Sequence, residues 1–445
     1  MSRRFGLVGI LLGAATTAVY MIGSNRSYGY DAAATFANFI ATPSLLDAFA
    51  VHSALPTIPL KSIASNDHVL LSLISHVIYS TTGSRSEVVY RFLPALAAGG
   101  TVGVMATVLS RKFGMLAGAT AALYIATVPH FVENSRDLRG YSLATICSVL
   151  ATIVLIRRAR GGEESWTALS LTIYALLMGF AIAAQLFAGV VLVGHFAWMA
   201  TRRDLRIVLR LAPAWLVAGV IGVAANANIQ YMELIEHGFP PSVFYPTFPR
   251  DMVFFLLGAP VVLALGLWLS AAGLGFWVMR REPWLWASVA VTASVVGVLW
   301  LVLQPAYLYP RFFIFLVPAF AVLMAAAIQR WKVLAPVVLL GAVVAAWSQV
   351  TGYTEAPLAL PQAAAFVERA HAAGKTACVI RADEQVLAAY TTDFKVVSNV
   401  DELSGCDAVV VVSWNVDLAL RDLAAQQFPR RTILPAYYPA VVLER

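Results

Sequence analysis

The chain has 445 residues, of which 60% are hydrophobic and 12% charged, with a formal charge of +7 and a mean hydropathy of +0.76. A soluble domain carries roughly twice that share of charge, and many apolar runs here exceed the roughly 18 residues that mark a membrane-spanning helix. Disorder, a secreted disulfide scaffold and a conventional soluble enzyme are therefore excluded, which leaves a polytopic helical membrane protein with a small soluble part.

In chain order the apolar runs predict eleven spans, at about 5–23, 88–110, 114–132, 140–156, 166–181, 184–200, 207–224, 252–277, 284–303, 312–328 and 333–350. The first follows Arg3 and Arg4 but lacks a convincing cleavage site, so it reads as an uncleaved span. With the N-terminus cytoplasmic, fourteen cations fall in six short cytoplasmic stretches, such as Arg111–Lys112 and Arg202–Arg203. The opposite side has seven before the tail, among them Lys61, spread over far more residues. That asymmetry is the positive-inside pattern. The run 67–82 is also apolar, but counting it as a span would invert everything after it. It carries His68, Ser72, Ser75 and His76, so it reads as an amphipathic helix at the outer interface.

Outer loops then lie at about 24–87, 133–139, 225–251 and 304–311, and the first is long enough to hold chemistry. After Val350 the composition shifts. Residues 1–350 carry a charge balance of +10 and residues 351–445 one of −3, so the basic character reflects membrane orientation and not a nucleic-acid partner. Gly352, Pro357 and Pro361 mark a linker. Beyond it helix and strand alternate: a helix ending at Gly374, strands in KTACVIRA, FKVVS and DAVVVVSW, a helix in VDLALRDLAAQQF and a closing strand pair. This predicts a small extracytoplasmic α/β domain with a partly parallel sheet and no phosphate-binding glycine fingerprint. Cys378 and Cys406 either pair, as an extracytoplasmic tail allows, or stay two free buried thiols.

Acidic residues are scarce on the outer side, which makes Asp31, Asp67 and Asp137 informative. His68, Arg139, Tyr141, Tyr309 and Arg311 belong to the same depth. Carboxylates and arginines at a lipid–water boundary suit a lipid-linked sugar phosphate: arginine binds the phosphate, and a carboxylate deprotonates an acceptor hydroxyl. The bland readings are helix capping for Asp31 and Asp67, pairing of Asp137 with Arg136 or Arg139, and interfacial anchoring for Arg139 and Arg311. His52, His76 and His130 read as solvated or interfacial, and Glu233, Glu236 and His237 as a solvated loop.

Four stretches resemble a known family. YGYDAAATF is similar to its Y-D-E-A-x-x-F. SNDHVLLSLISHVIYSTTGSRSEVVYRFLPALAAG is similar to its N-N-H-x-L-x-x-L-L and R-L-P-A-L-L-A-G. ENSRDLRGYSL is similar to its A-R-G-Y-x-L, and YPRFFIFLVPAFAVL to its R-Y-x-x-x-x-x-P-x-x-x-L. The family is that of GT-C-type integral membrane glycosyltransferases, near the dolichyl-phosphate-mannose–protein mannosyltransferases and lipid A aminoarabinose transferases. The middle spans and the tail match only in kind. The resemblance implies inverting transfer of a sugar from a polyprenyl-phosphate donor to a hydroxyl acceptor at the outer face of the plasma membrane. The acceptor is a cell-wall glycan, a lipid or a protein.

It further implies Asp31 as catalytic carboxylate, Asp137 as a second, and Arg139 and Arg311 facing the donor phosphate. His68, Tyr141 and Tyr309 are expected beside them. The family's Glu after the aspartate is Ala32 here, and Asp67 replaces its second Asn. Asp67 is thus a third candidate carboxylate, and a non-catalytic scaffold or a transporter stay as rival readings. No cofactor is obligatory in this reading, although two or three carboxylates with His68 have the chemistry for a divalent ion.

Overall fold

A computed structural model describes residues 2–50, 67–160, 166–202, 205–231, 245–258, 260–303, 308–350, 358–413, 417–436 and 438–445. His52, Lys61, Glu233, Glu236, His237 and the linker residues Gly352 and Pro357 lie outside them. The helices of the first two-thirds run α1 (Ser2–Tyr20), α2 (Tyr30–Thr35), α3 (Val69–Thr82), α4 (Glu87–Phe113), α5 (Met115–Thr127), α6 (Pro129–Ser135), α7 (Tyr141–Arg160), α8 (Ala168–Ala184), α9 (Gly189–Thr201) and α10 (Leu205–Ala225). There follow α11 (Ala227–Tyr231), α12 (Phe248–Leu256), α13 (Val262–Met279), α14 (Pro283–Gly297), α15 (Val317–Arg330) and α16 (Leu334–Ser348).

Each of the eleven expected spans holds a helix, but their lengths support a smaller count. Among the described residues six are long and apolar enough to cross a membrane, or seven if the bent pair α5–α6 is one span. The helices at 4–20, 168–184, 186–201 and 334–348 are shorter than that test requires. The faces that meet no protein are apolar. Leu205, Leu209, Leu216, Val220 and Val223 of α10 are all exposed. In water such a stripe would drive aggregation, whereas hydrocarbon accommodates it.

Helix pairs approach through small residues. Gly9 and Gly13 on α1 face Gly99 and Gly103 on α4: a Cβ added at Gly13 would lie 2.7 Å from the Gly99 carbonyl oxygen, and one at Gly103 equally close to that of Gly9. Glycines four residues apart on both partners let the backbones touch, which is how helices pack without a hydrophobic driving force. Between α5 and α6 the chain bends by 63° at Val128–Pro129. Proline forces the preceding residue out of the helical region, and the bend delivers Arg136–Gly140 to the site.

α3 departs from expectation. It lies against α8 and the short helical segments Phe36–Ile40 and Leu45–Phe49, and it buries Val69, Leu71, Ser72, Ser75 and His76. His76, expected to be solvated or interfacial, is buried and meets the Ile40 carbonyl oxygen through Nδ1 at 3.0 Å. His130 stays partly exposed, near Glu133 and stacked on Phe255.

The tail forms α17 (Leu360–Ala372), β1 (Ala377–Ile380), α18 (Glu384–Leu387), β2 (Lys395–Val397), β3 (Ala408–Val411), α19 (Leu418–Gln427), β4 (Arg430–Leu434) and β5 (Ala440–Glu444). The sheet order is β2-β1-β3-β5-β4, parallel across β2, β1 and β3 and antiparallel across β3, β5 and β4. α17 ends where Gly374 adopts φ +70°, a backbone that suits glycine. Strand alternation divides the sheet's contacts. Ala377, Val379 and Val410 join the large core shared with the helical bundle, while Cys378, Ile380, Val409 and Val411 pack with Leu420, Ala424 and Phe428. In this second cluster Cys378 and Cys406 are disulfide-bonded.

The bridge joins residues 28 apart, a loop whose closure in the unfolded chain is worth about 3–4 kcal/mol. Cys378→Ser is expected to lower the unfolding temperature of the purified protein. The wild-type chain is expected to show one alkylatable cysteine without reductant and three with it.

Candidate active site

The site is built from the end of α1 outward. After Tyr20 the chain leaves the helix, and two buried arginines take hold of it. Arg136 donates to the Tyr20 and Ile22 carbonyl oxygens at 3.3 and 2.6 Å. Arg91, 1% exposed, donates to the carbonyls of Ser24 (2.9 Å), Ser27 (2.8 Å) and Arg26, and its guanidinium lies 5.2 Å from the Tyr28 ring centre. A buried guanidinium is costly unless its donors are met; here both terminal nitrogens of Arg91 reach carbonyls that no helix or sheet uses, while Nε stays without a hydrogen-bond partner. The segment is thereby fixed just ahead of α2.

Asp31 sits in the first turn of α2, but it does not cap it: the N-cap is Gly29 and no side chain bonds there. Instead Asp31 Oδ2 accepts from Arg139 and lies 3.6 Å from Arg311. Its side chain is 31% exposed, against 6% for Arg139, so a solute can reach the carboxylate. Arg139 also points Nη1 at His68 Nε2, 3.5 Å away. The other ring nitrogen, Nδ1, is 2.9 Å from the Ala184 carbonyl oxygen and must donate to it. His68 is therefore a neutral imidazole with an acceptor facing Arg139. Burial, reinforced by Arg139, lowers it to about 3.

Tyr141 lies edge-on to His68 with ring centres 4.8 Å apart. Arg311 follows Tyr309 and Pro310 at the head of a short helical segment (Pro310–Leu316), and its guanidinium is 4.7 Å from the Tyr309 ring centre. Five expected residues, Asp31, His68, Arg139, Tyr141 and Arg311, thus form one connected cluster, and Tyr309 flanks it.

The other two carboxylates stand apart from this contact set. Asp137 is 3.6 Å from Arg91, not paired with Arg136 or Arg139. It lies under the start of α2, where a Cβ on Gly29 would be 3.5 Å from Asp137 Oδ2. Asp67 accepts from the Ser72 hydroxyl one turn along α3, and its second oxygen, Oδ2, is buried without a hydrogen-bond partner. Burial pushes Asp67 up to about 8, partly offset by Ser72 and the His68 backbone N–H. Burial thus favours its neutral, protonated form. Ala32, where the resemblance expects Glu, is fully buried in the core. The substitution therefore removes a core-facing group and leaves the open side of Asp31 unchanged.

The donor set fits a metal poorly. Among the described residues no three His, Cys, Asp or Glu side chains gather around one point. Asp31 already meets two guanidinium groups, which a cation would have to displace.

Sequence reasoning passed over Arg91, Arg136 and Gly140 as site-builders. Arg91 and Gly140 both stood inside the quoted motifs, at the R of RFLPAL and the G of RGY. A Cβ at Gly140 would lie 2.5 Å from the Ala184 carbonyl oxygen and 2.9 Å from His68 Cβ. Only glycine lets His68 pack this closely.

The comparisons with known proteins bear on the fold. No family model and no curated protein matches the chain. Solved structures do. ArnT from Cupriavidus metallidurans in the apo state aligns with a TM-score of 0.58 over 97% of both chains, at 16% identity. The same protein bound to undecaprenyl phosphate aligns at 0.56, covering 98% of this chain and 97% of that one, at 15% identity. The chain has the ArnT fold. The Archaeoglobus fulgidus oligosaccharyltransferase, solved with Zn and sulfate, aligns at 0.50 over 91% of this chain and 67% of its own, at 14% identity. The likeness of fold thus extends over the middle helices and the tail, where the sequence resembled the family only in kind.

Two outcomes test the site. Gly140→Ala is expected to destabilise the protein by about 1–3 kcal/mol, while Gly189→Ala, where a Cβ meets nothing within 4 Å, leaves the unfolding temperature unchanged. The stability held by neutral Asp67 is complete below the ordinary carboxyl range near 4 and is lost as pH rises towards about 8. The wild-type minus Asp67→Asn difference in unfolding temperature is expected to fall between pH 4 and 8 and then level off.

Proposed function

We propose that this protein is a membrane glycosyltransferase that moves a sugar from a polyprenyl-phosphate donor to a hydroxyl acceptor, with inversion, at the outer face of the plasma membrane. The observation that carries this reading is one partly open carboxylate, Asp31, held between Arg139 and Arg311 in a bundle with the ArnT fold. Two guanidinium groups on one carboxylate leave a surplus positive charge, which calls for an anion.

In this mechanism the donor's phosphate oxygens take the N–H groups of Arg311 and Arg139 that now face Asp31. Arginine forks match phosphate geometry. The exchange frees Asp31, which accepts the proton of the acceptor hydroxyl as that oxygen attacks the anomeric carbon. The carbon–oxygen bond to phosphate breaks on the opposite face, and the phosphate leaves with the bonding pair. The arginines stabilise that charge. Neutral His68 holds Arg139 in place without adding charge. Asp137, through Arg91, fixes the chain that carries Asp31, while Asp67 supports α3 as an uncharged acid. Tyr309 and Tyr141 line the donor-phosphate side.

The disulfide supports a tail on the oxidising side of the membrane, and the distribution of cations supports a cytoplasmic N-terminus. The acceptor is a glycan, lipid or protein hydroxyl.

The test uses purified protein and a labelled polyprenyl-phosphate sugar. Wild type is expected to transfer the label, and Asp31→Asn to lose at least about 100-fold in rate. Asp31→Asn should also bind bare polyprenyl phosphate more tightly, since the competing carboxylate charge is gone; Arg311→Ala should bind it more weakly. Undiminished transfer by Asp31→Asn would sink the mechanism. Donor binding by wild type with no transfer would favour a lipid-sugar-binding scaffold instead.

A further inference from the structure

The tail reaches into the site from above. Tyr390, beyond α18, accepts a hydrogen bond from the Tyr28 backbone N–H at 3.0 Å and donates to Glu87 Oε1 at 2.7 Å. Burial, with Glu87 beside it, raises Tyr390 and keeps this hydroxyl protonated as the donor. Its ring lies 6.1 Å from that of Tyr28. Gln385, within α18, donates to the Tyr30 hydroxyl, and α18 packs directly on α2. From the bundle side Arg85 donates to the carbonyls of Ala388 and Ala389 at 3.4 and 3.2 Å, closing the end of α18. Tyr28 and Tyr30 flank Gly29, and Tyr30 directly precedes Asp31. The tail therefore grips the residues that set where α2 begins and which way its first turn faces.

Resting on the transferase reading above, we infer that Tyr390 and Gln385 are positioning residues: through Tyr28 and Tyr30 they hold the first turn of α2 so that Asp31 stays aligned with Arg139 and Arg311. The C-terminal domain is then part of the transfer machinery and not a detachable acceptor-binding module. Neither residue meets the cluster of Asp31, Arg139 and Arg311, so the effect passes through backbone placement. Tyr390→Phe removes the hydroxyl that serves both partners and keeps the ring. Gln385→Ala removes only the Tyr30 contact.

The experiment pairs hydrogen exchange of the 28–36 segment, in the full-length protein in detergent, with steady-state transfer. Both variants are expected to raise exchange in that segment and leave α13 and α15 unchanged. Gln385→Ala, which loses one buried hydrogen bond, is expected to lower kcat about tenfold, and Tyr390→Phe, which loses two, at least as much, with the donor KM unaltered in both. Unchanged exchange in 28–36 for both variants would overturn the inference, as would a raised donor KM with kcat intact. If wild type shows no transfer at all, the function fails separately, and the exchange result alone decides the positioning role.

Discussion

Two guanidinium groups converging on one carboxylate at one end of an apolar bundle is the constraint on which the structure turns. Charges in such a place are weakly screened, so their arrangement has to be held by something stiffer than the charges themselves. The stiffness comes from the backbone. Arg139 lies on the turn that the bend at Pro129 delivers, Arg311 heads a short helix, and Asp31 stands in the first turn of α2. His68 braces Arg139 while bound to the Ala184 carbonyl, which ties the cluster to the end of α8.

Arginine does two different jobs here. Arg91 and Arg136 are buried and spend their donors on main-chain carbonyls at the end of α1. They act as clamps, and neither is open to a substrate. Arg311 is 33% exposed at the side chain and faces the carboxylate. A residue with five donors in a fixed fork suits both tasks, which is why residue type alone does not separate them; burial does.

Much of this was legible in the sequence because short, local signals carry it. The alternation of helix and strand in the tail reappears element by element, and the residues just outside the spans supply the cluster around Asp31. What escaped depends on tertiary contact. His76 read as solvated or interfacial because its helix was taken to lie at the membrane boundary, yet α3 is covered by α8 on one side and by the 36–49 segment on another. Asp67 read as a spare carboxylate, but its second oxygen is shut away from water and partners. Arg91 and Gly140 stood within recognised stretches without a role, since a clamp on a distant carbonyl and a missing Cβ leave no local pattern. The count of eleven spans is not confirmed for the opposite reason: hydropathy marks apolar runs but not where each helix ends.

The bond from Tyr28 to Tyr390 joins residues 362 apart in the chain. Ribosomal synthesis proceeds from the N-terminus, so the loop bearing Asp31 emerges long before Tyr390 does. Until the tail around α18 has folded, the segment from Tyr28 to Tyr30 lacks these contacts. The Tyr28 backbone N–H therefore stays without this partner until residue 390 has been made and folded.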